Sequence, residues 1–380
     1  MLLEKLKAYI KFFKNFFLTC FVIVSIAFGS TSLSNYIMSN DLDYKIANLV
    51  MVGFKGTDID STSTIYDAIK NKNLGGVILY EKDAHKDDVN IISNKQVTKL
   101  CSDIKKLNRK ILIAVDEEGG YVSRLNQNRG YDKTSSAREI ANLRSYDKTR
   151  MWSKIISDKL SKANINFNLA PVVDLDINET SEALGKQERM FSKDPGEVSI
   201  QASIFISEHR KKNIITSLKH FPGYGSASVD PHKDITDVTD TWKESELLPY
   251  KILIRSNFVD TIMTAHIMNE KLDKDYPATL SKKIINGILR NKLKYNGVVI
   301  SDDLLMGAIV KKYSFENAIV LALNAGVDIL LFSKEYYEDK PVLDEVIRIV
   351  RENIKNGNIK RQTIDEAYIR VKNLKSKFIN

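Results

Sequence analysis

Eight short apolar runs alternate with segments whose apolar residues recur at spacings of three and four, and no other feature restricts the fold of this sequence as tightly. The runs occupy residues 46–54, 74–80, 110–116, 165–175, 214–220, 259–266, 298–302 and 327–332. Helical patterns fill the gaps, among them 89–107, 149–163, 195–212 and 281–294. A strand that returns to its sheet through a helix pairs in parallel with the strand before it, so the alternation predicts an α/β fold with a parallel sheet. Eight such units in roughly 330 residues fit a single TIM-like (β/α)8 barrel. A doubly wound open sheet is the competing arrangement. The expected barrel runs over 44–380, with no second domain and no linker rich in Pro or Ser.

Barrels of this kind carry their chemistry at the C-terminal ends of the strands, and five successive runs end in polar residues. The third ends in Asp116, Glu117 and Glu118, and the fourth in Asp174 and Asp176. The fifth ends in Lys219 and His220, the sixth in His266, and the seventh in Ser301, Asp302 and Asp303. Any one of these is explained by capping: Asp303 precedes a helical pattern, and Asp174 can serve backbone amides alone. The set of five on one face is not. After the fifth run comes KHFPGYGSASVDPHKD (219–234), a loop broken by Pro222, Gly223 and Gly225 that sets Asp230 two residues from His232. A carboxylate beside an imidazole fixes its tautomer and stabilises the imidazolium, which makes a proton-transfer unit. On its own such a pair reads as a solvated turn; following a strand that ends in Lys-His, it reads as chemistry.

The reaction that suits these groups is glycoside hydrolysis, which needs a carboxylate on one side of the anomeric carbon and a proton donor on the other. Asp302, at the end of a buried strand, is the candidate nucleophile, and Asp230 with His232 the candidate acid/base. Metal ligation is the rival use of His220, His232, His266 and the aspartates, but no His-x-His or HExxH spacing occurs. Ser301 lacks the Gly-x-Ser-x-Gly elbow of an esterase, and Gly119-Gly120 lacks the continuation of a phosphate loop. Net charge is +9, of which Lys5, Lys7, Lys11 and Lys14 against Glu4 supply +3. The remaining +6 forms no long basic run, so nucleic-acid binding is not indicated.

The basic segment 1–14 is followed by an apolar stretch, 16–28, interrupted only by Thr19 and Ser25. That length is short for a membrane span and right for a signal-peptide core, with Ala27 and Gly29 as a small-x-small cleavage pattern. Residues 1–29 are therefore expected to be a signal peptide or an N-terminal membrane anchor, with 30–43 a linker. The product is expected to be exported, either periplasmic or anchored to the inner membrane. Cys20 lies in the apolar stretch, which leaves Cys101 as the lone cysteine beyond it, a buried structural thiol on a helical pattern with Val97, Leu100 and Ile104.

Taken together, AVDEEGGYVSRL (114–125), NLAPVVDLD (168–176), ERMFSKDP (188–195), KHFPGYG with SVDPH (219–232), TAHIMN (264–269), PATLS (277–281) and GVVISDDLLMGAI (297–309) make the chain resemble glycoside hydrolase family 3. Within that family the resemblance is to the NagZ-type β-N-acetylhexosaminidases. It implies a TIM-like barrel and a retaining double displacement on terminal β-linked GlcNAc, as in peptidoglycan fragments; a monomer with no cofactor and no metal is expected. It also implies Asp302 as nucleophile, His232 with Asp230 as acid/base, and Asp116, Arg124, Arg189, Lys219 and His220 as the sugar-binding residues. Met190, Phe191 and Met268 are candidates to line the acetamido pocket. The sequence departs from the family pattern at Tyr224, where the loop usually has histidine, at Tyr121, where arginine often follows the two glycines, and at Pro231, where serine is common. A histidine acid/base also leaves room for phosphate as the second nucleophile, so phosphorolysis is an alternative, as is a catalytically silent glycan-binding barrel. A family 3 β-glucosidase fits less well, because those usually draw the acid/base from a further domain.

Overall fold

A computed structural model of the chain describes residues 41–82, 89–227 and 236–379. The expected signal or anchor and nearly all of the linker lie outside the described residues, as do Asp230 and His232. The chain divides into two units, Met1–Lys45 and Ile46–Asn380, and the second holds the barrel.

Its strands are β1 (Val50–Gly53), β2 (Gly76–Ile78), β3 (Leu112–Val115), β4 (Phe167–Asn168), β5 (Ile215–Phe221), β6 (Thr261–Thr264), β7 (Val298–Ile300) and β8 (Leu330–Phe332). Every neighbouring pair is parallel, in the order β7-β6-β5-β4-β3-β2-β1-β8. A bridge from Ile300 to Ile329 brings the two ends of that order together, with Ser301 N on Ile329 O at 3.0 Å and Leu304 N on Leu331 O at 2.9 Å. The open-sheet alternative is thereby excluded. Outside lie α1 (Thr64–Lys70), α2 (Asn94–Leu107), α3 (Tyr146–Lys162), α4 (Pro195–Arg210), α5 (Leu248–Arg255), α6 (Lys283–Lys292), α7 (Phe315–Ala325), α8 (Val342–Lys355) and α9 (Arg361–Phe378).

The helices begin where side chains satisfy the first free amides. Ser63, Ser93, Ser145 and Asp194 each accept from a backbone N–H in the first turn, and Pro195 opens α4 where no donor is missed. The strands are shorter than the apolar runs. Residues 46–48 belong to a helix (Leu42–Asn48) rather than to the first strand, and only Phe167–Asn168 of 165–175 joins the ladder. Beyond Asn168 the chain runs through a cis Ala170–Pro171 peptide, touching β5 again at Val172 and Lys219. An apolar run marks burial, and burial outlasts strand pairing here. Segment 281–294 forms α6 with π-type hydrogen bonding.

The N-terminal ends of the strands are closed by buried carboxylates. Asp328, before β8, accepts from Arg290 Nη2 (2.7 Å), Arg370 Nε (2.8 Å) and Val299 N (2.8 Å). Asp260, before β6, takes Arg210 Nε (2.9 Å) and the Thr216 hydroxyl (2.8 Å). These pairs tie helices to strands at the end of the barrel that carries stability rather than chemistry. Cys101 is fully buried on α2, and burial pushes its thiol up to about 12, so it is inert.

Candidate active site

At the other end of the barrel, β5 delivers Lys219 and His220 into a chain of polar contacts. Lys219 is 2% exposed, and its Nζ lies 2.8 Å from Asp116 Oδ1 and 2.7 Å from Glu118 Oε1. Burial opposes its charge, but the two carboxylates outweigh burial and raise its pKa. Glu118 is gripped from its other side by Arg189, Nε to Oε2 at 2.7 Å and Nη2 to Oε1 at 2.8 Å. Burial alone would neutralise this carboxyl; Arg189 and Lys219 instead hold it well below the usual carboxylate range. Arg189 is fixed by a third bond, from Nη1 to Ala183 O at 2.9 Å, and its Nη2 lies 3.5 Å from His220 Nε2.

His220 Nδ1 lies 2.8 Å from Asp174 Oδ2. An ionised carboxylate only accepts, so Nδ1 carries the proton and Nε2 presents a lone pair towards Arg189. Asp174 also accepts the backbone N–H groups of His220 and Tyr224, both at 3.1 Å. It therefore sets the tautomer of one residue and the backbone of the loop that follows. Tyr224 is buried, its ring edge-on to His220 at 4.9 Å between centroids. Gly225 approaches so closely that a Cβ there would lie 1.8 Å from Leu175 O. Its N–H and the Ser226 hydroxyl donate to the buried Glu246, at 2.8 and 2.9 Å.

Asp302 follows β7 and is half-buried, with Asp303 N on its Oδ1 at 2.8 Å. Because it follows β7 as Lys219 ends β5, it stands at the same C-terminal end of the barrel as the Lys219 cluster. Tyr80 feels Asp303, Asp116, Arg124 and Asp302, and Tyr224 feels Arg189, Asp174, Asp302 and Glu118; burial is the main cause that pushes both phenols up. Arg124 reaches this end of the barrel from the turn after β3, where Gly119 (φ +90) and Gly120 (φ +58) reverse the chain and a Cβ on Gly120 would lie 2.6 Å from Ser136 Cα. The buried Nε of Arg124 has no hydrogen-bond partner among the described residues.

Asp116, Arg189, Lys219 and His220, separated by up to 104 positions in sequence, thus form one connected cluster, with Arg124 and Asp302 at the same end of the barrel. Asp303 and His266 serve the scaffold. Asp303 accepts from Ser333 N (2.8 Å) and Leu305 N (3.0 Å), and His266 is spanned between Thr279 Oγ1 and Asp303 O, both at 2.9 Å. Asp176 is engaged by Arg138 through two bonds of 2.7 Å. Met190 and Phe191 are buried, Phe191 edge-on to Trp152, whereas Met268 keeps exposed surface. Glu118 and Asp174, which the sequence marks only as polar strand-end residues and not as sugar ligands, are members of the cluster as well. Among the described residues no group of three or more His, Cys, Asp or Glu side chains is arranged to hold a metal.

The cluster offers fixed cations and acceptors at the same end of the barrel as the half-buried Asp302 carboxylate, a setting that suits a polyhydroxylated ligand. Residues 41–374 match the Glycosyl hydrolase family 3 N terminal domain. A β-hexosaminidase of Tolumonas auensis is 31% identical over 286 residues, 74% of this chain and 81% of that protein. One of Pseudomonas aeruginosa is 31% identical over 264 residues, 68% of this chain and 75% of its own. Among solved structures, a family 3 β-N-acetylglucosaminidase from Paenibacillus superposes with a TM-score of 0.80 at 28% identity. That match covers 89% of this chain, which spans 62% of the Paenibacillus protein. LpqI of M. tuberculosis gives 0.73 at 27% identity, with 88% of this chain and 94% of its own covered. With a family match across most of its length and a barrel of the same architecture, the chain belongs to glycosyl hydrolase family 3.

Proposed function

We propose that the protein is an exported retaining β-N-acetylglucosaminidase of the β-hexosaminidase type, releasing terminal β-linked GlcNAc from peptidoglycan fragments. The observation that carries this reading is the Asp116–Lys219–Glu118–Arg189 chain at the same end of the barrel as Asp302. Its fixed donors and acceptors suit the hydroxyls of a single terminal sugar, and the relatives' names supply the sugar type. In the first step Asp302 attacks the anomeric carbon while His232, oriented by Asp230, protonates the leaving oxygen. In the second, His232 takes a proton from water as that water displaces Asp302, which restores the carboxylate and leaves free GlcNAc of retained configuration. Asp116 accepts sugar hydroxyls, and Arg124, Arg189 and Lys219 donate to sugar oxygens. Asp116, Arg189 and Lys219 are already paired before substrate arrives, so little reorganisation of these three is left for the transition state.

The test is GlcNAc release from GlcNAc-β-1,4-MurNAc by the protein and by Asp302→Ala, without and with phosphate. The expected result is release that phosphate leaves unchanged and that falls at least about 10³-fold in the variant. GlcNAc-1-phosphate appearing with phosphate would replace hydrolysis by phosphorolysis. Sugar binding without release in either buffer would leave a glycan-binding barrel.

A further inference from the structure

Glu117 and Glu118 are adjacent, and they face opposite ways. Glu118 joins the Lys219 cluster, whereas the side chain of Glu117, fully buried, points outward against α3. There its Oε1 accepts the Ser123 hydroxyl at 2.7 Å and its Oε2 accepts Leu125 N at 2.9 Å. Those two residues flank Arg124. Lys159 of α3, 4% exposed, completes the arrangement with Nζ 3.4 Å from Glu117 Oε1 and 3.1 Å from Leu125 O. The backbone of Glu117 is itself fixed to β4, its N on Asn168 Oδ1 at 3.1 Å and its O accepting Asn168 Nδ2 at 3.0 Å. Antiparallel pairing of Glu117 with Ser123 and of Gly119 with Val122 joins the two arms of the turn.

A buried ion pair adds little net stability over apolar packing, because desolvation offsets most of the attraction. This one gains its use from where its hydrogen bonds go. The buried Nε of Arg124 has no hydrogen-bond partner among the described residues, so the path of its backbone weighs heavily in where its guanidinium sits. Both its neighbours are held by one carboxylate, Ser123 through its hydroxyl and Leu125 through its backbone N–H, and the carboxylate is met by one ammonium. We infer that Glu117, charge-compensated by Lys159, is a positioning residue for substrate binding that acts through Arg124. The inference rests on the reading of Arg124 as a sugar ligand given above.

A double-mutant cycle tests it, using kcat and KM on GlcNAc-β-1,4-MurNAc for Glu117→Ala, Arg124→Ala and the pair, with circular dichroism to verify folding. Glu117→Ala is expected to lower kcat/KM by about 10- to 100-fold, mainly through KM. In the Arg124→Ala background the same change is expected to cost less than about 3-fold. Glu117→Gln, which keeps an acceptor for Leu125 N, is expected to recover part of the loss. Ser123→Ala removes one of the two bonds and supplies the same comparison if Glu117→Ala does not fold. Losses that multiply in the double variant, or a folded Glu117→Ala or Ser123→Ala with unchanged KM, overturn the inference. If Arg124→Ala alone leaves kcat/KM unchanged, the sugar-ligand reading of Arg124 fails, and this inference with it.

Discussion

At the scale of single residues, the site is governed by which carboxylate meets which cation. Glu118 sits between Arg189 and Lys219, so its replacement leaves two buried cations facing each other. Glu118→Ala is expected to lose about 3–5 kcal/mol of stability, measured by denaturant unfolding at pH 7. The folded pKa of Glu118 is depressed from 4.5. The stability it contributes is therefore complete above about 4.5 and is lost progressively as pH falls below it, so the gap to Glu118→Gln should narrow only in acid. His232→Ala is expected to cost a disaccharide substrate at least about 100-fold more than an aryl glycoside, whose leaving group needs little protonation. Equal losses on both would remove His232 from the acid role. Asp116, Lys219 and His220 were legible because each stands at the end of an apolar run. The split between Glu117 and Glu118 was not, since it depends on Lys159 and Arg189, 42 and 71 positions further along the chain. Local pattern gives the alternation of faces but not what waits on each face.

At the scale of elements, the eight strand–helix units could be read from apolar periodicity, and their order in the barrel follows from parallel pairing of neighbours. Boundaries could not. Ile46 and Ala47 are as buried in a helix as they would be in a strand, and 169–175 stay buried after leaving the ladder. The stem that follows β5 shows the same limit. Nothing local in the sequence marks Glu246 as the acceptor of Gly225 N and the Ser226 hydroxyl, 21 and 20 positions away. Burial pushes this carboxyl up to about 7 from 4.5. Between those values the folded chain binds a proton that the unfolded chain has lost, so stability falls as pH rises across the window. Glu246→Gln does not titrate there. Its stability is expected to gain on the unmodified protein by up to about 1.4 kcal/mol per pH unit from pH 4.5 to 7, and a constant difference in denaturation at pH 5 and pH 7.5 would count against the buried charge.

At the scale of the whole molecule, the two ends of the barrel divide labour. The end with Lys219 holds a chain of charges open to a ligand; the other is sealed by Asp328, Asp260 and the side chains of α9. Lys375 of α9 donates to Gly75 O at 2.9 Å and lies 3.3 Å from Asn48 Oδ1, with no carboxylate among the described residues bonded to it, and burial pushes it down to about 7 from 10.5. The unfolded chain keeps this proton up to about 10.5, so stability rises with pH between about 7 and 10.5. Lys375→Met should therefore compare better with the unmodified protein at pH 6 than at pH 9, the advantage shrinking by up to about 1.4 kcal/mol per unit above 7. Unfolding midpoints at the two pH values read it directly.

α9 has a further consequence. Its Arg370 holds Asp328 at the β7–β8 seam, and its Lys375 reaches the start of β2, so one helix joins the first strands of the barrel to the last. In chain order it comes after all of them. A ribosome must therefore release all eight strands before α9 can tie the first of them to the last. On the export proposed above, such late locking would suit passage through a translocation channel as an extended polymer, since the seam is tied only once α9 has emerged.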